Sequence, residues 1–188
     1  MRSPGRATRP SALLQPLQKA EWLPSFLDEP SLAQTPMKIL RDRGAPFDLE
    51  QFLRQPLFAH LATQSPDGAR DSPCWFLWED DALWIIGERG ANTFLERIEV
   101  NPRVAVGVVD FDVHSGQVRH VGVRGTARIE PWDPERARRL LSRYLGDDVS
   151  KWDPERFQPN LRPRDDLVFV RVEPESMVVR DQSYRKPG

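Results

Sequence analysis

The sequence predicts a mainly β protein with a few α-helices, built as a small antiparallel β-barrel of roughly six to seven strands. Short apolar runs rich in β-prone residues recur across residues 57–129 and again across 167–179. Turn residues separate the first of these runs, at Ser65-Pro66-Asp67-Gly68 and at Glu79-Asp80-Asp81. A glycine-flanked segment then interrupts the strands and leads into an amphipathic helix. Strands joined by short turns favour antiparallel pairing.

Composition restricts the class of protein. The chain has 188 residues and 39% hydrophobic residues, enough for one domain with an extension. A net charge of -1 argues against nucleic-acid binding, which needs a positive surface. The single Cys74 excludes an internal disulfide and indicates a reducing cytoplasm. The three histidines are scattered, so no metal site is expected, and no apolar run approaches the roughly 18 residues of a membrane span.

The domain organisation follows from a change in composition near residue 47. Residues 1–46 are rich in Pro and Arg and are predicted to form an N-terminal extension, most simply a flexible arm. The absence of acids among the first twenty residues also resembles a transit peptide, and Trp22 and Phe26 could instead fold the arm back onto the domain. Residues 47–183 are predicted to form the folded domain, followed by a tail at 184–188.

The first half of the domain predicts a short helix at 48–53, which Pro56 ends. Three strands in meander order are expected next, at 58–63, 70–78 and 82–87. An amphipathic helix then begins at Asn92 or Thr93 and ends before Pro102.

The second half predicts strands at 104–109 and 118–129, the second of them bent at Gly122 and Gly125. The pentapeptide Trp-Asp-Pro-Glu-Arg occurs at 132–136 and again at 152–156, with Asp as N-cap and Pro at the first helical position. Both copies are therefore predicted to begin helices. Two last strands, at 167–172 and 176–179, complete the sheet.

Residues 87–92 have the features of an anion site. A turn that leads into a helix N-terminus offers free backbone amides and the positive end of the helix dipole. Arg70, Arg89, Asn92 and Thr93 add charge or hydrogen-bond donors nearby. The same sequence is also typical of an ordinary connector, so the motif alone does not decide.

Residues 73–76 have the features of a contact with a flat ring. Pro73 suggests that strand pairing is interrupted there, which would leave backbone amides free for a ligand. Trp75 and Phe76 offer large apolar surfaces, although aromatic residues on strands also commonly fill a core.

Taken together, these segments resemble the pyridoxamine 5′-phosphate oxidase-like split-barrel flavoproteins. The resemblance is carried by the strand at 57–63, the Asp67-Gly68 turn, Pro73-Cys74-Trp75-Phe76, the helix ending in Asn101-Pro102 and the strand at 123–127, and it covers roughly residues 47–179. It implies a split antiparallel barrel that forms a homodimer, with one FMN in each of two grooves at the subunit interface.

The resemblance also assigns roles to residues. It places Arg70 near the FMN phosphate and His120 near the polar edge of the flavin, although a lone His on a strand is also typical of a core or surface residue. Asn92 and Thr93 occupy helix-start positions that usually include basic phosphate ligands. The remaining contacts along the ring and the ribityl chain are Pro73, Cys74, Trp75, Phe76, Ile86 and Gly87.

Two departures from the family pattern affect function. Uncharged residues at Asn92 and Thr93 weaken phosphate binding unless Arg89, Arg97 or Arg124 compensates, because charge-assisted hydrogen bonds are roughly twice as strong as neutral ones. The C-terminus also lacks the basic Arg-Leu segment with which the oxidases hold their substrate, so pyridoxal phosphate synthesis is not expected.

The function expected from the resemblance is an FMN-dependent oxidoreductase that transfers hydride between a small-molecule substrate and the flavin. No catalytic residue is identified, and Cys74 is interpreted as a buried inert thiol because no His lies within a few residues. The alternatives are a reductase that uses a deazaflavin coenzyme and a non-catalytic protein that binds flavin or haem.

Overall fold

The computed structural model describes residues 38–41 and 47–185, which form an eight-stranded sheet, three α-helices and two 3₁₀ turns. The predicted mainly β class is confirmed, with eight strands among these residues. The strands are β1 Lys38–Arg41, β2 Ala59–Ser65, β3 Gly68–Cys74, β4 Leu77–Glu79, β5 Ala82–Glu88, β6 Arg103–Asp112, β7 Gln117–Pro131 and β8 Leu167–Asp181. The helices are α1 Leu49–Leu53, α2 Phe94–Val100 and α3 Pro134–Leu145, and the 3₁₀ turns are Val149–Lys151 and Gln158–Leu161.

The order of strands in the sheet is β3-β2-β6-β7-β8-β5-β4, with every neighbouring pair antiparallel. In addition, β1 runs parallel to the second half of β8. These four residues belong to the range predicted as an N-terminal extension, and the domain boundary stays a prediction. Residues 1–37, including Trp22 and Phe26, lie outside the described part of the chain.

The two ends of this sheet are held close together by the chain itself. β3 and β4 are the terminal strands of the order, yet only Trp75 and Phe76 separate them in sequence. Three Cα-to-Cα steps span at most about 11 Å, so the sheet must curl until its two ends approach. Among the described residues no strand pairs with the outer edge of β3, so the barrel is open along this edge.

The predicted three-strand meander is wrong, because residues 70–78 form two strands instead of one. β3 pairs with β2 and β4 pairs with β5, which gives two hairpins at opposite ends of the sheet. The predicted division of the last strand is also wrong. β8 continues through Pro174, which lies opposite Gly125. The register shifts between Arg124 and Gly125 because β8 has one extra residue there, Glu175, and this bulge accommodates the proline without ending the pairing.

The two copies of the repeated pentapeptide form different structures. Asp133 caps α3 by accepting hydrogen bonds from the Glu135 and Arg136 amides, and the helix buries Ala137, Leu140 and Leu141. Asp153 makes the equivalent bonds to Glu155 and Arg156, but a turn and a 3₁₀ segment follow. The predicted second helix is wrong because Pro159 would fall within it, where proline removes a hydrogen bond.

Two apolar clusters hold the fold together. The larger one fills the barrel, with side chains from the strands and from α2, among them Leu61, Ile85, Val106, Val123, Phe94 and Ile98. The smaller one lies between α3 and the outer face of β5 and β8, and contains Trp84, Phe169, Leu140, Leu141 and Trp152. α3 is therefore a covering layer on the part of the sheet that includes β4.

Ion pairs on Glu79 fasten α3 to the hairpin of β4 and β5. The carboxylate accepts from Arg136 Nε at 2.9 Å and from Arg139 Nε at 2.8 Å. The hydrogen bond from Arg139 is the largest of the effects that lower the pKa of Glu79. The Arg136 guanidinium also lies over the Trp84 ring at 3.6 Å, which joins these ion pairs to the smaller cluster.

We expect Glu79→Gln to lower the free energy of unfolding by about 1 to 3 kcal/mol at neutral pH, because it removes the charge that pairs with two arginines. Because the folded-state pKa of Glu79 is lowered, its contribution is present at neutral pH and is lost as the pH falls through that pKa. Urea unfolding of both proteins at neutral and at acid pH measures this. A difference in stability that does not shrink in acid would contradict it.

We also expect Gly125→Ala to destabilise the protein by about 1 to 3 kcal/mol or more, as for other overpacked sites. A Cβ at this position would lie 2.0 Å from the Glu173 carbonyl oxygen, so the backbone of the bulge would have to move. Gly107→Ala is the matched control, since a Cβ there meets nothing within 4 Å. Thermal unfolding of the two variants compares them, and equal midpoints would show that the close approach is unimportant.

Candidate functional site

An open groove of about 350 Å³ lies between the free edge of β3 and the segment that precedes α2. Its lining residues are Asp71, Ser72, Pro73, Cys74 and Trp75 on the β3 side, and Ile86, Ala91, Asn92, Thr93 and Phe94 opposite them. The structure therefore brings together most of the predicted cofactor contacts. A larger hollow, of about 470 Å³, follows α3 and contains none of the predicted site residues.

The free edge of β3 presents its backbone to the groove. Because two residues connect Ser65 to Gly68, this pair is hydrogen-bonded, and bonded and non-bonded pairs then alternate along the ladder. Pro73, opposite His60, falls at a non-bonded position, so it does not interrupt the pairing as predicted. The break comes after Cys74. Asp71 has the same orientation as Pro73, and its N–H points away from β2.

Trp75 and Phe76 differ in their surroundings. The Trp75 ring stacks on Tyr144, with centroids 4.6 Å apart, and also on Phe157 at 5.7 Å. The Phe76 side chain is fully buried. The Arg143 guanidinium lies over its ring, with Cζ 4.4 Å from the ring centroid. Phe76 thus fills the core, the alternative that the sequence left open, whereas Trp75 lies at the groove.

α3 holds this two-residue link in place. The Tyr144 hydroxyl accepts a hydrogen bond from the Phe76 amide at 3.0 Å and donates to the Leu57 carbonyl at 2.7 Å. Arg143 donates to the Phe76 carbonyl at 3.2 Å and to the carbonyls of Leu53 and Gln55. Burial raises the pKa of Tyr144 and lowers that of Arg143. The position of the groove wall therefore depends on a helix that does not line it.

Ile86 and Gly87 point in opposite directions, as neighbours on a strand do. Ile86 lines the groove, whereas Gly87 is buried against α2. A Cβ on Gly87 would lie 2.8 Å from Leu95 Cδ2. The glycine thus allows α2 to pack closely on β5. Gly87 lies on the face of β5 opposite to the face on which Ile86 lines the groove.

The segment before α2 uses part of its own hydrogen-bonding capacity. The amides of Ala91 and Asn92 both donate to the Glu88 carbonyl, at 3.2 and 2.9 Å. Asn92 Oδ1 in turn accepts from the Glu88 amide at 2.7 Å. These amides are therefore not the free anion ligands that the sequence suggested. The Asn92 side chain still lines the groove, and its NH₂ group donates to no other described residue.

None of the described residues that line the groove is basic. Arg97, however, is hydrogen-bonded to Thr93, which is part of that lining. Arg97 Nη1 donates to Thr93 Oγ1 at 2.9 Å, and its Nε donates to Thr63 Oγ1 at 2.7 Å. Of the other predicted compensating arginines, Arg89 pairs with Glu99 at 3.2 Å and Arg124 lies on the exposed face of β7. Arg97 is the cation best placed to act at the groove.

Arg70 has Thr63 as a neighbour, as Arg97 does. It is directly opposite Thr63 in the ladder of β2 and β3, so both side chains are on the face of the strands that carries Ser72 and Cys74. Its side chain is 52% exposed, with Asp67 Oδ2 at 3.8 Å. Arg70 is not part of the groove lining, but it precedes that lining on β3.

Cys74 is a half-buried thiol whose Sγ donates to the Ser72 carbonyl at 3.2 Å. Burial, and secondarily the negative charge of Asp71, raises the pKa of Cys74 to about 12. The thiol is therefore neutral at physiological pH, which agrees with its interpretation as an inert residue in the groove wall.

His120 lies on β7, away from the groove of this chain. It is half-buried, between Val109 of β6 and Arg180 of β8 in the ladders. Burial, and then the charge of Arg180, lowers the pKa of His120. The fold of a single chain does not bring His120 to the other predicted site residues.

Sequence reasoning missed Thr63, Tyr144 and the pair of His60 with Asp71, whose Nδ1 and Oδ2 are 2.9 Å apart at the rim of the groove. Thr63 had a detectable signal, since it is a polar residue at the third inward position of a strand after Ala59 and Leu61. Tyr144 had none, because 68 residues separate it in sequence from Phe76.

The comparison with protein families identifies the class. The profile described as pyridoxamine 5′-phosphate oxidase matches residues 48–180, well over half of the chain. The chain therefore belongs to the pyridoxamine 5′-phosphate oxidase family, and the predicted resemblance is confirmed. No curated protein sequence matches the chain.

Solved structures agree with this assignment. A conserved hypothetical protein from Mycobacterium tuberculosis is 22% identical with a TM-score of 0.57, covering 73% of this chain and 88% of its own. An F420 reductase is 29% identical with a TM-score of 0.53, covering 70% and 97%. A FAD-binding protein from Mesorhizobium loti is 20% identical with a TM-score of 0.51, covering 71% and 92%. The first and third similarities concern the fold alone.

Residues 38–41 and 47–185 contain neither a candidate membrane-spanning helix nor a candidate metal cluster. No helix there is long and apolar enough to cross a membrane. No three His, Cys, Asp or Glu residues of this part of the chain are grouped so that they could hold a metal ion.

The environment of Cys74 predicts slow alkylation. With its pKa raised from 9.0 to about 12, the thiolate fraction at mildly alkaline pH is about 1,000-fold below that of an ordinary cysteine. We expect iodoacetamide to modify the native protein correspondingly slowly and the urea-unfolded protein at the rate of a free thiol. Because the chain has one cysteine, mass spectrometry follows this site alone. Equal rates in the two states would contradict the burial.

Proposed function

We propose that this protein is an FMN-binding oxidoreductase that acts as a homodimer on a small-molecule substrate. The observation that carries the proposal is the groove at the free edge of β3, where most of the residues predicted to contact the cofactor meet in a member of this family. A bound flavin would supply the hydride chemistry, and the protein would supply binding and orientation.

The residues of the groove fit one side of a flavin site. Pro73, Trp75, Ile86 and Phe94 give it apolar walls, and the edge of β3 offers backbone groups to the polar rim of a ring. Arg97 supplies positive charge near Thr93, and Arg70 lies opposite Thr63, the other residue that Arg97 contacts. The volume of about 350 Å³ suits part of the cofactor, and the groove is open on its outer side.

An exposed apolar stripe on β6 and the turn after it supports the dimer. Val109, Phe111 and Val113 alternate on the face away from the barrel core and are 48%, 57% and 52% exposed. Such a stripe is typical of a protein interface. His120 lies opposite Val109 in the ladder, so a second copy covering the stripe would also approach His120.

The C-terminal segment supports a substrate other than pyridoxamine phosphate. Its amides at Gln182 and Tyr184 donate to Val118 and Gly116 of the hairpin between β6 and β7, at 2.8 and 3.0 Å. A Cβ on Gly116 would lie 2.4 Å from the Tyr184 carbonyl oxygen, so the segment packs tightly on the hairpin. Residues 182–184 thus lie along the hairpin beyond the end of β8, and none of these three residues is basic.

A deazaflavin coenzyme is the second candidate. The 29% identity to an F420 reductase favours it, as does the lack of basic residues at Asn92 and Thr93, which suits a different cofactor tail. The third candidate is a non-catalytic protein that binds flavin or haem, and steady-state turnover of reduced nicotinamide with an acceptor would count against it.

The test is the visible absorbance spectrum of the purified full-length protein, with the supernatant after heat release examined for FMN. We expect a yellow protein that releases FMN, or that takes up added FMN. Uptake of added F420 instead would move the assignment to the deazaflavin coenzyme. Binding of haem, or of no cofactor, by correctly folded protein would contradict the proposal.

The dimer has its own test. We expect Phe111→Asp to shift the protein toward monomer, because it places a charge in the middle of the exposed stripe. Val100→Asp is the matched control, since Val100 is an apolar residue that is 88% exposed on α2. Analytical ultracentrifugation measures both variants. A wild-type monomer, or equal effects of the two substitutions, would contradict the proposed interface.

A further inference from the structure

Thr63 is the polar residue among the buried side chains of the described chain, with 2% of its surface exposed. It follows Ala59 and Leu61 on the inward face of β2, where an apolar side chain would be expected. A hydroxyl buried without a partner is costly, and this one accepts a hydrogen bond from Arg97 Nε at 2.7 Å. The bond fixes Arg97 from inside the barrel.

Arg97 keeps unused hydrogen-bonding capacity. Its bonds to Thr63 and Thr93 are to hydroxyl groups, and no carboxylate forms an ion pair with it among the described residues. Two bonds leave part of the five N–H donors of a guanidinium available. The charge is thus held rigidly beside a residue of the groove wall and is not neutralised by the protein.

A second arginine is the neighbour of Thr63 in the ladder of β2 and β3. Arg70 lies directly opposite Thr63, and its acidic neighbour Asp67 is 3.8 Å away on the exposed side of the turn. Arg70 and Thr63 lie on the same face of the two strands, and Ser72, two residues further along β3, lines the groove. An anion bound beside Thr93 would accept the remaining N–H groups of Arg97.

We propose that Arg97, positioned by Thr63, binds the phosphate ester on the side chain of the cofactor and makes the groove select phosphorylated over unphosphorylated flavins. This inference rests on the proposed function and specifies which residues of the site make that selection. Arg97 supplies from the second turn of α2 the charge that Asn92 and Thr93 lack at its start. Thr63 is a positioning residue, because it acts through Arg97.

The experiment compares FMN with riboflavin, which share the ring and differ in the phosphate. Both are titrated into the full-length protein after removal of any co-purified flavin, with quenching of flavin fluorescence as the readout. We expect Arg97→Gln to weaken FMN binding by about 10- to 100-fold, the range for hydrogen bonds to a charged group, and to leave riboflavin binding unchanged. The glutamine can still donate to Thr63, which protects the fold.

Variants of Thr63 separate positioning from packing. Thr63→Val keeps the shape and removes the hydroxyl, so the preference for FMN should fall, whereas Thr63→Ser keeps the hydroxyl and should retain it. Arg89→Gln is the control, since Arg89 is already paired with Glu99. A purely structural role of Thr63 would weaken both ligands equally.

The outcomes distinguish this inference from the proposed function. If the wild-type protein binds neither flavin, the proposed function fails and this inference fails with it. If the wild type prefers FMN and the Arg97→Gln variant keeps that preference, the role of Arg97 and Thr63 is overturned while the proposed function stands. F420 in place of FMN as the preferred ligand, with the same loss in the Arg97 variant, would support the phosphate role with a deazaflavin.

Discussion

The connection of β3 to β4 through Trp75 and Phe76 is the constraint on which the rest of the structure depends. It brings the two ends of the sheet together, so the sheet curls into a barrel. Because β3 and β4 do not pair with each other among the described residues, the outer edge of β3 stays exposed. Because Phe76 is buried and bonded to Tyr144, the link cannot move without disturbing both the core and α3. The groove is thus a direct product of the way in which the barrel closes.

The groove combines an exposed backbone edge with a charge supplied from behind its wall. Its lining is apolar or uncharged except for Asp71, which faces His60. Arg97 donates one hydrogen bond to Thr93 at the groove and another to Thr63, which is buried inside the barrel. The guanidinium therefore lies between the barrel interior and the groove. This arrangement keeps the cation in one place, since a guanidinium fixed by two hydroxyl groups loses little further freedom when it binds an anion.

Sequence signals from neighbouring residues predicted most of the helices, strands and turns. They did not predict which strands pair or which distant residues meet at the site. The cap at Asp133 and the turn at Asp67-Gly68 depend on neighbours in sequence, and both were predicted correctly. The helix predicted at the second pentapeptide did not form although Asp153 makes the capping bonds, because Pro159 would lie inside it. Among the site residues, Pro73, Trp75, Ile86 and Thr93 meet at the groove as expected, whereas His120 does not.

The sequence by itself determined the family, the mainly β class and the segments from which the groove is built, because strand periodicity, turns and caps are local properties. The tertiary structure decided which of those segments meet. It placed β3 and β4 at opposite ends of the sheet, turned Gly87 toward α2, and brought Arg97 to Thr63 across 34 residues of sequence. Such contacts depend on how the whole sheet curls around its core, and no local pattern encodes them.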